Sequence, residues 1–159
     1  MGKLNPACAA CSEGHAQSPI NIKDVKKSDL PALKFDYKAV PLNIIYTGYT
    51  IQINYPPAAR SPLTIKTYTL KQFHFHHPSE EHVNGCGYDM VAHPVHSDAE
   101  DHLAVVAILY HKGEANAFLD SIWKNIAAEK RKVQDVAGTT LTGKTFCRPA
   151  RDILRLPVR

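Results

Sequence analysis

No apolar run in these 159 residues approaches membrane-spanning length, so a transmembrane helix is not an organising feature. The opening stretch from Met1 to Cys11 lacks the apolar core of a secretory leader. Pro6 also breaks the pattern for N-myristoylation. Internal repeats and low-complexity segments are missing too. The four cysteines are Cys8, Cys11, Cys86 and Cys147, and they supply a single C-x-x-C. Without a second pair, or a βα pattern around the first, that motif makes neither a zinc ribbon nor a redox centre. The net charge of +4 is uneven: residues 124–159 hold nine Lys/Arg against three Asp/Glu. That basic segment does not interleave aromatics as a single-strand binder would. It is expected to be a solvated tail, with no nucleic-acid partner and no membrane partner.

What the chain has in abundance is histidine in one place. Six of its nine histidines lie in the stretch 72–96. In Gln72-Phe73-His74-Phe75-His76 they alternate with phenylalanine. Side chains two apart on a strand share a face. His74 and His76 therefore look one way, and Phe73 and Phe75 the other, toward a core. A polar turn follows from Pro78 to Gly87, with Asn84-Gly85 as its reversal signal. The run Tyr88–His96 is expected to return as a second strand and to bring His93 beside the first pair. Three neutral imidazoles with one open position form a catalytic zinc site. His96 is a reserve ligand, and His77 and His82 read as exposed loop residues.

The wording around these histidines, Q-F-H-F-H-x-P-S-E, then H-x-V-H, then L-A-V-V, resembles the α-class carbonic anhydrases, mainly the short bacterial kind. Gln17-Ser18-Pro19-Ile20-Asn21-Ile22 matches a further motif of that family in full. The resemblance covers roughly residues 11–128 of a single domain spanning 1–159, with 129–159 a divergent basic tail. It implies a mainly β (α+β) fold: a twisted, mostly antiparallel central sheet with a few peripheral helices. It also implies a zinc-dependent reaction, the reversible hydration of carbon dioxide to bicarbonate and a proton by zinc-bound hydroxide. By resemblance the metal ligands are His74, His76 and His93, and Gln72 orients the first of them. Glu80 belongs to the hydrogen-bond network of the site. Val95 and Val105 line the apolar wall for carbon dioxide. The family setting implies a periplasmic or secreted location. In the family a disulfide joins a cysteine before S-P-I-N to one near the C-terminus; Cys11 resembles the first partner, with Cys147 a candidate for the second.

Three departures shape the alternative, a catalytically impaired zinc-binding or partner-binding relative. Tyr49 stands where the family has a proton-shuttling histidine, and a phenol of pKa about 10 is a poor relay at neutral pH. Val91 stands where the family has a glutamate that supports the third ligand, so that support is expected to be weakened. The family's threonine-bearing segment, which follows an L-L-P-like position, is not found after Ile153–Pro157, so the resemblance implies a form truncated at the C-terminus. Gly138–Thr142 is a faint echo of it.

Elsewhere the patterns predict a strand over 30–37, a strand pair over 42–55 bent at Gly48, a loop over 56–62 and a strand from Leu63 into the histidines. The apolar run Leu103–Tyr110 reads as one strand buried on both faces. Asn116 is the expected cap of a helix whose apolar face is Phe118, Ile122 and Ile126.

Overall fold

Period-two alternation sorts the side chains of one large sheet onto two unlike faces. In a computed structural model, residues 5–15, 17–29, 33, 35–56, 60–63 and 66–141 are described. Before the sheet come a 3-10 turn at Pro6–Cys8, the short helix α1 (Ala10–Glu13) and β1 (Asn21–Ile22). The sheet strands are β2 (Val40–Tyr46), β3 (Ile51–Asn54), β4 (Arg60–Leu63), β5 (Lys66–His76), β7 (Met90–Ser97), β8 (Leu103–Val105), β9 (Ile108–Tyr110) and β10 (Val133–Leu141). A small strand, β6 (His82–Val83), pairs in parallel with β1, and helix α2 spans Ala117–Trp123. The sheet is antiparallel throughout, ordered β10-β2-β3-β5-β7-β8. β4 shares one edge of the long β5 with β3, and β9 shares the outer edge of β7 with β8. No helix among the described residues is long and apolar enough to cross a membrane.

One face is the core. Leu42, Ile44, Ile53, Phe73, Phe75 and Ala92 are buried on it. Helix α2 covers this face with Phe118 and Ile122; the Phe118 ring lies 6.1 Å from Phe73, and Trp123 lies 4.8 Å from Phe75. Asn116 caps α2 as expected, its side-chain oxygen accepting the N–H groups of Phe118 and Leu119 at 3.0 and 3.2 Å. The helix stops at Trp123, so Ile126 falls past its end and is exposed.

The other face is polar. Asn43, Gln52 and Asn54 are linked by amide hydrogen bonds of 2.7 Å, and Asn43 donates to Asp135 at 2.6 Å. The register Asn54↔Gln72, Gln52↔His74 and His74↔His93 continues this face across β5 to β7.

Several expectations need correction. Residues 33 and 35–39 are not strand; Tyr37 is held instead by ring contacts with Phe35, Tyr55 and His96. The remaining positions of 30–34 lie outside the described residues. Residues 60–62, expected as loop, join Leu63 in β4 because β5 is long enough to offer them a free edge; Pro62 is tolerated there as an edge-strand residue. Leu103–Tyr110 is not one strand buried on both faces. It breaks into β8 and β9 on the sheet edge, and Leu103 and Val105 are exposed. An apolar run looks the same in the interior and at an edge, since burial depends on what lies beside it. Residues 133–141 are not a solvated tail but β10, which pairs with β2 and shifts register around Gly138, a residue with φ of +74°. Thr140 pairs with Pro41, three strands from β5, so the 138–141 echo lies far from the histidines. Residues 142–159, with Cys147 and Ile153–Pro157, lie outside the described residues. Cys8, Cys11 and Cys86 are free thiols.

Candidate metal centre

Two adjacent strands and one turn build the site. The hairpin pairs His74 with His93 and His76 with Val91. The three rings His74, His76 and His93 form a near-equilateral triangle with centroid separations of 5.0, 5.4 and 5.0 Å. Ring nitrogens from all three lie within 4.8 Å of one another.

Two of the three rings have a hydrogen-bond partner on one nitrogen. His74 Nδ1 is 3.0 Å from Gln72 Oε1. His93 Nε2 is 2.8 Å from Glu81 Oε1. Two rings are thereby oriented from behind. Glu80, in the same turn, places Oε2 3.2 Å from His76 Nε2 and 3.9 Å from His93 Nδ1. Burial, then the neighbouring His76 and His93 rings, lower the His74 pKa to about 4. At neutral pH it therefore presents a neutral ring with a lone pair, the form a metal requires. Burial alone would raise the Glu81 carboxyl. The hydrogen bond from His93 and the nearby imidazoles outweigh it and hold Glu81 below the ordinary carboxylate value.

The turn is clamped at both ends. Ser79 is buried; its N–H donates to Tyr88 O at 2.9 Å, its hydroxyl donates to Glu81 O at 2.8 Å, and it accepts the Tyr88 N–H at 2.8 Å. The Asn84-Gly85 reversal forms as expected, both residues having positive φ (+50° and +84°). On the far side the Ile20-Asn21-Ile22 segment grips the turn: His82 N donates to Ile20 O, Asn84 N to Ile22 O and Gly85 N to Asn21 Oδ1.

The other expected positions fall as follows. His96 is three residues from His93 and so lies on the opposite face, fully buried. It bonds Tyr37 Oη at 3.0 Å and Ala104 O at 3.2 Å, which removes it as a reserve ligand. His77 is exposed, and His82 is half-buried in β6. Val95 and Val105 stand directly opposite each other on β7 and β8, with Val95 on the face of His93. Pro94 is accommodated in β7 where the neighbouring strand changes, between the residues paired with β9 and those paired with β8. Tyr49 sits at the tip of the β2–β3 turn, 92% exposed, on the rim of an open cleft whose wall includes His76 and Glu80. Glu81 is the side chain at the cluster that sequence reasoning missed. Its signal was there: a doubled acid at 80–81 beside a valine at 91.

A donor set of three imidazoles suits zinc, and the backing of His74 and His93 leaves one nitrogen of each directed at the cluster. The family model described as eukaryotic-type carbonic anhydrase matches residues 4–151. The chain belongs to the eukaryotic-type, or alpha, carbonic anhydrase family. A carbonic anhydrase of Neisseria gonorrhoeae is 42% identical over 135 residues, covering 84% of this chain and 53% of the relative. Among solved structures, a hyperthermostable carbonic anhydrase from an active hydrothermal vent chimney superposes with a TM-score of 0.88 at 30% identity, over 94% of this chain and 67% of that one. Dioscorin complexed with ascorbate also matches, with a TM-score of 0.71 at 32% identity, over 77% of this chain and 53% of that one. The chain thus spans about half the length of the curated relatives it matches. These likenesses bear out the expected fold, a mostly antiparallel sheet with few helices.

Proposed function

We propose that this chain catalyses the zinc-dependent, reversible hydration of carbon dioxide to bicarbonate and a proton. The observation that carries the reading is the convergence of His74, His76 and His93, with the outer nitrogens of two rings already engaged. A zinc ion held by three such imidazoles supplies Lewis acidity that makes a bound water a nucleophile near neutral pH. The chain's own residues would do the rest. Gln72 orients His74. Glu80, close to both His76 and His93, provides a carboxylate at the polar side of the site. Val95 and Val105 offer an apolar wall on which an uncharged, linear substrate loses little by leaving water. Tyr49, at the rim, stands on the path by which a proton would leave.

The test is carbon dioxide hydration by the purified, zinc-loaded chain, with His93→Ala alongside. Zinc-dependent turnover in the parent and none in His93→Ala is the expected result. A parent that binds one equivalent of zinc without turnover would overturn the catalytic reading. It would favour a second one, a zinc-binding domain without turnover. One observation supports that alternative: among the described residues the ion-pair partners of Glu80 are histidines, and no threonine hydroxyl engages it.

A further inference from the structure

The carboxylate that touches the third histidine does not come from the strand that carries it. Glu81 lies in the turn between β5 and β7, yet it is only 7% exposed, and its Oε1 is 2.8 Å from His93 Nε2. Its neighbour Glu80 is far more open, with a side chain 44% exposed, and faces His76. We propose that Glu81 is a positioning residue for the metal centre: from the turn it accepts the Nε2–H of His93 and fixes that ring, the task for which position 91 on β7 offers only a valine. This rests on the metal-site reading above and deepens it.

The chemistry follows from imidazole itself. A neutral ring carries one N–H and one lone pair. If Nε2–H donates to Glu81, the lone pair is on Nδ1, the nitrogen on the side of Glu80 and the other two histidines. A carboxylate behind a ligating histidine fixes its tautomer and raises its basicity. Val91 is two residues before His93, so it shares that face, and it is fully buried opposite His76. Its apolar side chain cannot accept the N–H. Position 91 is as buried as position 81, so a second carboxylate there would put another charge in a dry space.

Two more observations point the same way. Glu81 Oε2 is buried with no hydrogen-bond partner among the described residues. Such an oxygen is costly to bury, and a turn residue could avoid the cost by facing solvent. The inward pose is imposed by the framework: Ser79 binds the Glu81 carbonyl, and β1 grips the residue that follows.

The experiment compares the full chain with Glu81→Leu, Glu81→Gln and the double variant Glu81→Leu/Val91→Glu. Leucine fills the space without accepting a hydrogen bond; glutamine keeps an acceptor without the charge. Zinc affinity is read by chelator competition, and the His93 tautomer by nitrogen NMR of the metal-free protein. The parent is expected to show the Nε2–H tautomer. Glu81→Leu is expected to lose that preference and to bind zinc about 10- to 100-fold more weakly, with circular dichroism unchanged. Glu81→Gln falls between, and the double variant recovers part of the loss. Zinc affinity and tautomer indistinguishable from the parent in both single variants would overturn the proposal while leaving the metal site standing. A parent that binds no zinc would instead sink the metal-site reading.

Discussion

Two histidines three residues apart on β7 have opposite fates. His93 lies on the polar face with its ring exchanged between Glu81 and the other imidazoles. His96 lies on the core face, fully buried against Tyr37. The same contrast runs across the whole sheet. Phe73 and Ile53 belong to the core cluster with α2, while His74 and Gln52, one residue away on the same strands, lie on the polar face that carries the site. Strand alternation thus separates what holds the molecule together from what does its chemistry, with no extra element between them. The two sets of residues should therefore answer differently to mutation.

The largest difference is expected from truncation on the core face. Phe73→Ala should lower stability by about 3–5 kcal/mol, the cost of a large cavity under α2. His76→Ala, on the other face, should change the stability of the metal-free protein by less than about 1 kcal/mol. Chemical denaturation of both variants checks this, and equal losses would break the contrast.

His96 sharpens it through pH. Burial lowers its pKa, and bonding to the Ala104 and Pro94 carbonyls only partly offsets this. The native state therefore keeps His96 neutral where the unfolded chain, with a histidine pKa of about 6.5, takes up a proton. Below that pH the unfolded state binds more protons, so stability falls as pH falls. His96→Gln should flatten the acid limb of the stability profile below about pH 6.5 relative to the parent; an unchanged slope would show that His96 is not the buried neutral group.

The smaller effects lie at the periphery. Asn116→Ala should cost about 1 kcal/mol by uncapping α2, read as a lower midpoint in thermal unfolding. Tyr49→Ala, at a fully solvated turn tip, should stay within about 0.5 kcal/mol of the parent. A larger loss at Tyr49 would mean that the rim of the cleft is packed rather than open.

The two faces were legible because period two is written directly into the residues: F-H-F-H states its own geometry, and so do Ile51 and Ile53. The hairpin was legible because Asn84-Gly85 marks its reversal. The edges were not. Leu103–Tyr110 has the composition of an interior strand, and nothing in it reveals that the far side is open. Residues 133–141 mix polar and apolar residues, so their strand form depends on β2 being there to pair with. Glu81 was hidden for a related reason. A carboxylate in a polar turn reads as solvated until the fold shows the turn pressed against β7. Along its own strand His93 has only a valine at position 91, whereas its carboxylate partner reaches it from the turn.

The parallel contact of Asn21–Ile22 with His82–Val83 bears on the order in which the protein assembles. It closes a loop of about sixty residues, and contacts of such sequence separation slow folding because loop closure costs entropy before they form. The β5–β7 hairpin that brings the three imidazoles together is by contrast a local pairing, though marginal without the rest of the sheet. The turn that carries Glu80 and Glu81 is held by that distant N-terminal segment. The histidines are thus gathered by a local pairing and the carboxylates beside them are held by a distant one, so the finished centre needs both.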